Sequence, residues 1–98
     1  MAIKILDLRH SRDGIHKFII TFEINGEKKK TVRFGAKGYS DYTIHKDSAR
    51  KKRYITRHKN KEDWANPLTA GALSRWILWN KPTFKASLAD FKTRFRIK

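Results

Sequence analysis

Apolar positions recur every second residue over the first third of the chain. Over the last third they recur at spacings near 3.6, so strands come before helices. Residues 2–9 read AIKILDLR, a short strand. Ser11-Arg12-Asp13-Gly14 is a turn signal. From His16 to Glu23, Phe18, Ile20 and Phe22 share one face, while Ile19, Thr21 and Glu23 share the other. Asn25-Gly26 then marks a hairpin.

Burial selects the hairpin register. A two-residue loop at Asn25-Gly26 sets Phe18 opposite Arg33 and Phe22 opposite Lys29, so aromatics face charges. A three-residue loop, Ile24-Asn25-Gly26 with Gly26 left-handed, sets Phe18 opposite Val32 and His16 opposite Phe34. It gathers Phe18, Ile20, Phe22, Val32 and Phe34 on one face. A one-residue slip flips every side chain, so the second register and a glycine bulge are predicted. Lys28 and Lys30 then border the apolar face, with long stems able to reach water.

The alternation fails from Gly35 to Lys46, where Gly35 and Gly38 suggest a loop. Asp47 or Ser48 can cap a helix over about 48–59, whose thin apolar face holds Ala49, Tyr54 and Ile55. Asn66-Pro67 starts a second helix, with Asn as cap and Pro at its first position. Leu73, Trp76, Ile77 and Asn80 form its stripe, and Pro82 stops it. Thr83 caps a last helix in which Phe84, Leu88, Phe91 and Phe95 recur at spacings of four, three and four.

The order of elements predicts an α+β fold. A small antiparallel sheet, from an N-terminal strand plus a β-hairpin, precedes a basic helix and two C-terminal packing helices. Residues 1–98 suit a single domain, divided into a hairpin region over 2–34, a glycine loop over 35–47 and a helical region over 48–95. No internal repeat or linker interrupts them. A chain this short buries about 60–65% of its surface. Three Trp, six Phe and three Tyr supply the area, and 39% apolar content is too high for a disordered basic tail.

Charge changes the picture most. With 24 Lys and Arg against 9 Asp and Glu, the chain carries +15. Like-charge repulsion of that size favours an anionic partner. The excess concentrates in Lys46, Arg50, Lys51, Lys52, Arg53, Arg57, Lys59 and Lys61, opposed in that stretch by Asp47 alone. Clustered cations neutralise phosphates and release counterions, so these eight residues are the candidate nucleic-acid-binding set. Arg33, Arg94 and Arg96 are candidates to extend it. Most charge runs are solvated helix faces, but this one is too one-sided for solubility alone. Tyr39, Tyr42 and Tyr54 lie beside the block and are the candidates for stacking bases, although pinning the glycine loop to the core is the plainer role for the first two. Trp79 falls off the stripe of its helix and is a candidate exposed anchor for a protein partner.

Other chemistries find little support. The chain has no Cys, which excludes disulfides, Cys–zinc sites and thiol catalysis. No apolar run approaches the roughly 20 residues of a membrane helix, and no signal-peptide core appears, so an intracellular or particle-packaged chain is expected. Gly35-Ala36-Lys37-Gly38 lacks the length and downstream residues of a phosphate-binding loop. Asp41, His45 and Asp47 form a weak metal or nuclease constellation; capping backbone is the plainer role for the two carboxylates. The last two helices fit helix-turn-helix spacing superficially, yet the second stripe is so apolar that packing is the better reading. No enzyme activity, cofactor, metal or small-molecule substrate is expected.

The strings FGAKGYSDYTIHKD, RKKRYITRHK and WANPLTAGALSRWILWNKP, spread over roughly residues 34–95, resemble the small uncharacterised basic proteins of nucleocytoplasmic large DNA viruses, the giant-virus group. The resemblance implies a viral factory in the host cytoplasm and then a virion. It implies a role in DNA packaging or condensation, or alternatively a minor capsid protein that docks on acidic coat protein and forms oligomers. It supplies no catalytic residue.

Overall fold

Two turns convert the N-terminal alternation into a meander. In the computed structural model, which describes residues 2–98, β1 (Ile3–His10), β2 (His16–Ile24) and β3 (Lys28–Ala36) form an antiparallel sheet in the order β1-β2-β3. Asp13 closes the first turn, its Oδ1 accepting from the amides of Ile15 and His16 at 2.9 Å each. Asn25 and Gly26 close the second with φ of 54° and 73°, both left-handed, and the Glu27 amide donates to the Ile24 carbonyl at 3.1 Å.

The loop has three residues and the faces are those expected, but the register sits two residues away from the predicted one. Phe18 pairs with Phe34, Ile20 with Val32 and Phe22 with Lys30. Ile24 stays in the ladder because it also pairs with Ile3 on β1, and Asn25 is tied to Ala2 by two hydrogen bonds of 2.7 and 2.9 Å. Asn25 takes the first left-handed position, so Glu27 rather than Ile24 becomes the extra residue.

β1 also carries a bulge. Its pairing shifts between Ile5 and Asp7, which turns Leu6 outward and lets Ile3, Ile5 and Leu8 all stand opposite inward residues of β2. Without it, Leu8 would follow Ile3 and Ile5 out of phase.

The sheet is followed by helices α1 (Tyr42–His45), α2 (Ser48–His58), α3 (Ala70–Leu73, continued by a π-helical stretch over Ser74–Leu78) and α4 (Phe84–Phe95), giving an α+β arrangement. Their apolar sides meet the sheet in one core: Ile20, Phe22 and Phe34 from the strands, with Leu73, Ile77 and Phe91 from the helices, are fully buried.

Two local expectations change and a third holds. The loop over 35–47 contains α1, capped by Asp41, whose Oδ1 accepts from the Thr43 amide at 2.9 Å. α3 begins at Ala70, not at Pro67. Thr69 is its cap, with Oγ1 accepting from the Ala72 amide at 3.2 Å, while Asn66 accepts from Leu68 in a preceding turn. The competing hydroxyl cap wins because the apolar run starts only after Thr69. α4 starts as expected behind Thr83, whose hydroxyl accepts from the Ala86 amide at 3.1 Å.

Gly35 shows how closely helix and sheet approach. Its φ is +77°, and a Cβ there would lie 2.8 Å from Leu78 Cδ1 and 3.1 Å from Lys17 Cβ. Only glycine tolerates both the angle and the contact.

Candidate nucleic-acid interface

α2 is built to display cations on one side. Asp47 caps it: Oδ1 accepts from the amides of Ala49 at 3.0 Å and Arg50 at 3.3 Å. The Arg50 amide is the main reason the Asp47 carboxyl sits below the usual carboxylate range. At 3.6 residues per turn, Arg50, Arg53, Arg57, Ala49, Thr56 and Lys52 fill an arc of about 160°, and Lys51, Tyr54, Ile55 and His58 fill about 100° on the opposite side. Exposure follows that division. The first group is exposed, and the second is buried or half-buried.

An aromatic clasp holds the inner side. Tyr54 is 8% exposed and lies parallel to Trp79, with centroids 4.3 Å apart and planes 2° apart. His58 stacks on Tyr54 at 4.4 Å, and Trp64 lies parallel to it at 6.5 Å. Glu62 ties these partners together: Oε1 meets His58 Nδ1 at 3.1 Å, and Oε2 accepts from Trp64 Nε1 at 2.8 Å. Burial, the largest cause, raises the Tyr54 phenol well above its ordinary range. Arg75 underpins the clasp, with Nη1 donating to the Trp79 carbonyl at 2.8 Å and its guanidinium over Trp76 at 4.3 Å.

Two expectations are thereby corrected. Trp79 is half-buried, and its face is taken by Tyr54, so it anchors α2 instead of standing out for a partner. The cause is the π-helical stretch, whose last bond runs from the Trp79 amide to the Ser74 carbonyl, five residues back. A wheel at 3.6 residues per turn misplaces Trp79 when the last turn is wider. Tyr54 in turn has both ring faces occupied and offers no platform to a base. Tyr42 is half-buried with the Lys51 ammonium 4.9 Å over its ring, whereas Tyr39 is 74% exposed.

The eight candidate cations divide. Arg50, Lys52, Arg53, Arg57, Lys59 and Lys61 are exposed, and none pairs with a carboxylate among the described residues. Lys46 is exposed, and its Nζ donates to the Thr43 carbonyl at 2.9 Å. Lys51 is different. It turns inward and donates to the Asn80 carbonyl at 2.6 Å, and desolvation pulls its ammonium below the usual lysine range. Of the residues expected to extend the patch, Arg33 is held by Asp13 at 3.7 Å and Arg94 by Asp90 at 3.3 Å. Ala49, Lys52, Arg53, Thr56 and Arg57 line a shallow groove of about 500 Å³ along the outer side of α2. Its floor is small and apolar and its walls are cationic.

Asp41, His45 and Asp47 do not converge. Asp41 accepts from Thr43 with one oxygen and pairs with Lys17 through the other; Asp47 caps α2; and His45 Nδ1 accepts from the Asp47 amide at 2.9 Å. Among the described residues no group of three or more His, Cys, Asp or Glu is placed to hold a metal ion. The apolar stripe of α4 is spent on packing, with Phe91 fully buried. No described helix is long and apolar enough to cross a membrane.

Residues 6–58, from within β1 to the end of α2, match the model of a family of unknown function (DUF5754). No curated protein and no solved structure matches the chain.

Proposed function

We propose that this chain, which belongs to the DUF5754 family of unknown function, binds nucleic acid through the outer side of α2 without carrying out chemistry on it. The observation that supports this reading most is a set of exposed cations with no carboxylate partner among the described residues, Arg50, Lys52, Arg53 and Arg57, on one arc of a helix fixed from behind. A surface cation already paired to a carboxylate gains little from a phosphate. An unpaired one on a rigid element gains the full counterion release and loses less entropy on binding.

The dimensions suit a duplex backbone. Arg50 to Arg57 spans about 10 Å of helix rise, against one duplex charge per about 1.7 Å, so about six phosphate charges lie within reach. Contacts of this kind position a protein and carry little sequence information. The clasp spends Tyr54 and Trp79 internally, which removes two aromatic platforms and favours backbone contact over base stacking.

The test is binding of random-sequence duplex to the wild type and to the combined variant Arg50→Glu/Arg53→Glu/Arg57→Glu. The variant is expected to keep its thermal midpoint, since these side chains are exposed and pair with no carboxylate among the described residues, and to lose binding at physiological salt. Unchanged binding by the folded variant removes α2 as the site. Equal binding of heparin and duplex would replace nucleic acid by any polyanion.

A further inference from the structure

The exposed residues on the outer side of α2 fall into three rows. Arg50, Arg53 and Arg57 form one, at spacings of three and four. Lys52 and Lys59 form another, seven apart; Lys59, the C-cap, keeps helical angles with φ −57° and ψ −30°, so it continues the same path. Between these rows lie Ala49 and Thr56, also seven apart. At 3.6 residues per turn, the lysine row stands about 140° around the helix from the arginine row on average. The shallow groove of about 500 Å³ runs between them, with Ala49 and Thr56 as floor, Lys52 on one wall and Arg53 and Arg57 on the other.

The separation of the rows decides what can fill both. A helix with its side chains is about 10–12 Å across, so cations this far around it stand on the order of 10 Å apart. One sugar–phosphate strand is a single file of phosphates and meets one row at a time. Two strands facing each other across a groove meet both. The major groove of B-form DNA is about 12 Å wide and admits an α-helix. The major groove of A-form RNA is deep and narrow and shuts side chains out. The floor agrees with the wider groove, because Ala49 and Thr56 are too short to hold the helix away from base edges. The clasp of Tyr54 and Trp79 lies on the inner side, so α2 keeps its shape while its outer side is engaged.

We infer that α2 seats in the major groove of B-form duplex DNA, with Arg50, Arg53 and Arg57 on the phosphates of one strand and Lys52 and Lys59 on those of the other. The inference rests on the outer side of α2 being the nucleic-acid interface, and it names the class that interface takes: B-form DNA ahead of A-form RNA or single strands. Both rows address phosphates, so a preference for helical form comes with little preference for sequence.

The test measures the affinity of the full chain, at one salt concentration, for three duplexes of one sequence: plain DNA, DNA whose cytosines carry a glucosylated hydroxymethyl group at C5, and RNA. The glucosyl groups fill the major groove and leave the phosphates in place. Plain DNA is expected to bind at least roughly tenfold tighter than either of the others, the scale of losing the two lysine contacts. Lys52→Ala/Lys59→Ala should shrink that ratio to below about threefold, whereas a general loss of charge would weaken all three duplexes alike and keep the ratio. Netropsin, a minor-groove ligand, should not displace the chain. Equal affinities for the three duplexes, an undiminished ratio in the lysine variant, or displacement by netropsin overturns the inference. In each of those cases the reading of α2 as the interface still stands if Arg50→Glu/Arg53→Glu/Arg57→Glu abolishes binding of plain DNA. If that variant binds as the wild type does, or the wild type binds no duplex, both fall together.

Discussion

Replacing Tyr54 by Ala should release α2 from the protein while leaving the sheet folded. Tyr54 is 8% exposed and is the one buried side chain of α2; Trp79, His58 and Trp64 all pack against it. Truncating a buried aromatic to Ala costs about 3–5 kcal/mol, and the parallel stack at 4.3 Å includes about 0.5–1.5 of that. Taking the lower end, because the clasp lies at one side of the core, the loss is about 3 kcal/mol, on the order of a hundredfold in an equilibrium. An isolated helix of 11 residues is marginal in water, so α2 has little to fall back on. Native-state hydrogen exchange reads this directly. In Tyr54→Ala the amides of Arg53 to His58 should exchange on the order of a hundredfold faster, while Ile20 and Phe22 keep most of their protection. Tyr54→Phe keeps the ring and should change protection by less than about 0.5 kcal/mol. Wild-type protection of α2 in Tyr54→Ala would refute the clasp as what holds the helix.

Four more outcomes follow from the same geometry. Lys51→Met should leave the salt dependence of duplex binding nearly unchanged, because Lys51 faces Asn80, whereas Arg53→Met should lower the slope by about 1. Gly35→Ala should destabilise by about 1–3 kcal/mol, read as a lowered thermal midpoint, since it combines a left-handed angle with a 2.8 Å contact to Leu78. Asp47 has a depressed pKa in the folded state, so its capping contribution is present above the ordinary carboxylate pKa and is lost as pH falls through the folded value. Helicity by circular dichroism should therefore show an acid-dependent loss that Asp47→Asn, which caps without a charge, removes. Tyr54 has the opposite sign: its phenol is raised by burial, so its contribution is complete below pH of about 10 and is lost above it, and alkaline difference spectra of Tyr54→Phe should lack that late tyrosinate step.

The sheet was legible because period-two alternation and an Asn-Gly turn act locally. Phe18, Ile20 and Phe22 face Val32 and Phe34 across one core face, as burial demands. The register was displaced by two because Ile24 answers to β1 as well as to β3, a non-local demand that hairpin logic does not contain. Asp47 and Thr83 were visible as caps for the same local reason. Trp79 was misread because a π-helical turn breaks the period on which a helical wheel rests. Lys51 carried the same charge as its neighbours in the string, and only the position of Tyr54 on the helix reveals that it turns inward. A signal was present: Lys51, Tyr54, Ile55 and His58 recur at spacings of three, one and three, a stripe that mixes one cation into an aromatic side. Ala49, assigned to the apolar face, stands on the exposed one.

The measurement that tests the central claim most directly is the association constant for random-sequence duplex DNA across a salt series, for the wild type and for Arg53→Glu/Arg57→Glu. If the outer side of α2 engages phosphates through four to six cations, the log–log slope is about −4 to −5, and the double substitution makes it shallower by about 2. A wild-type slope shallower than about −2, or one that the two substitutions leave unchanged, contradicts the assignment of nucleic-acid binding to this helix.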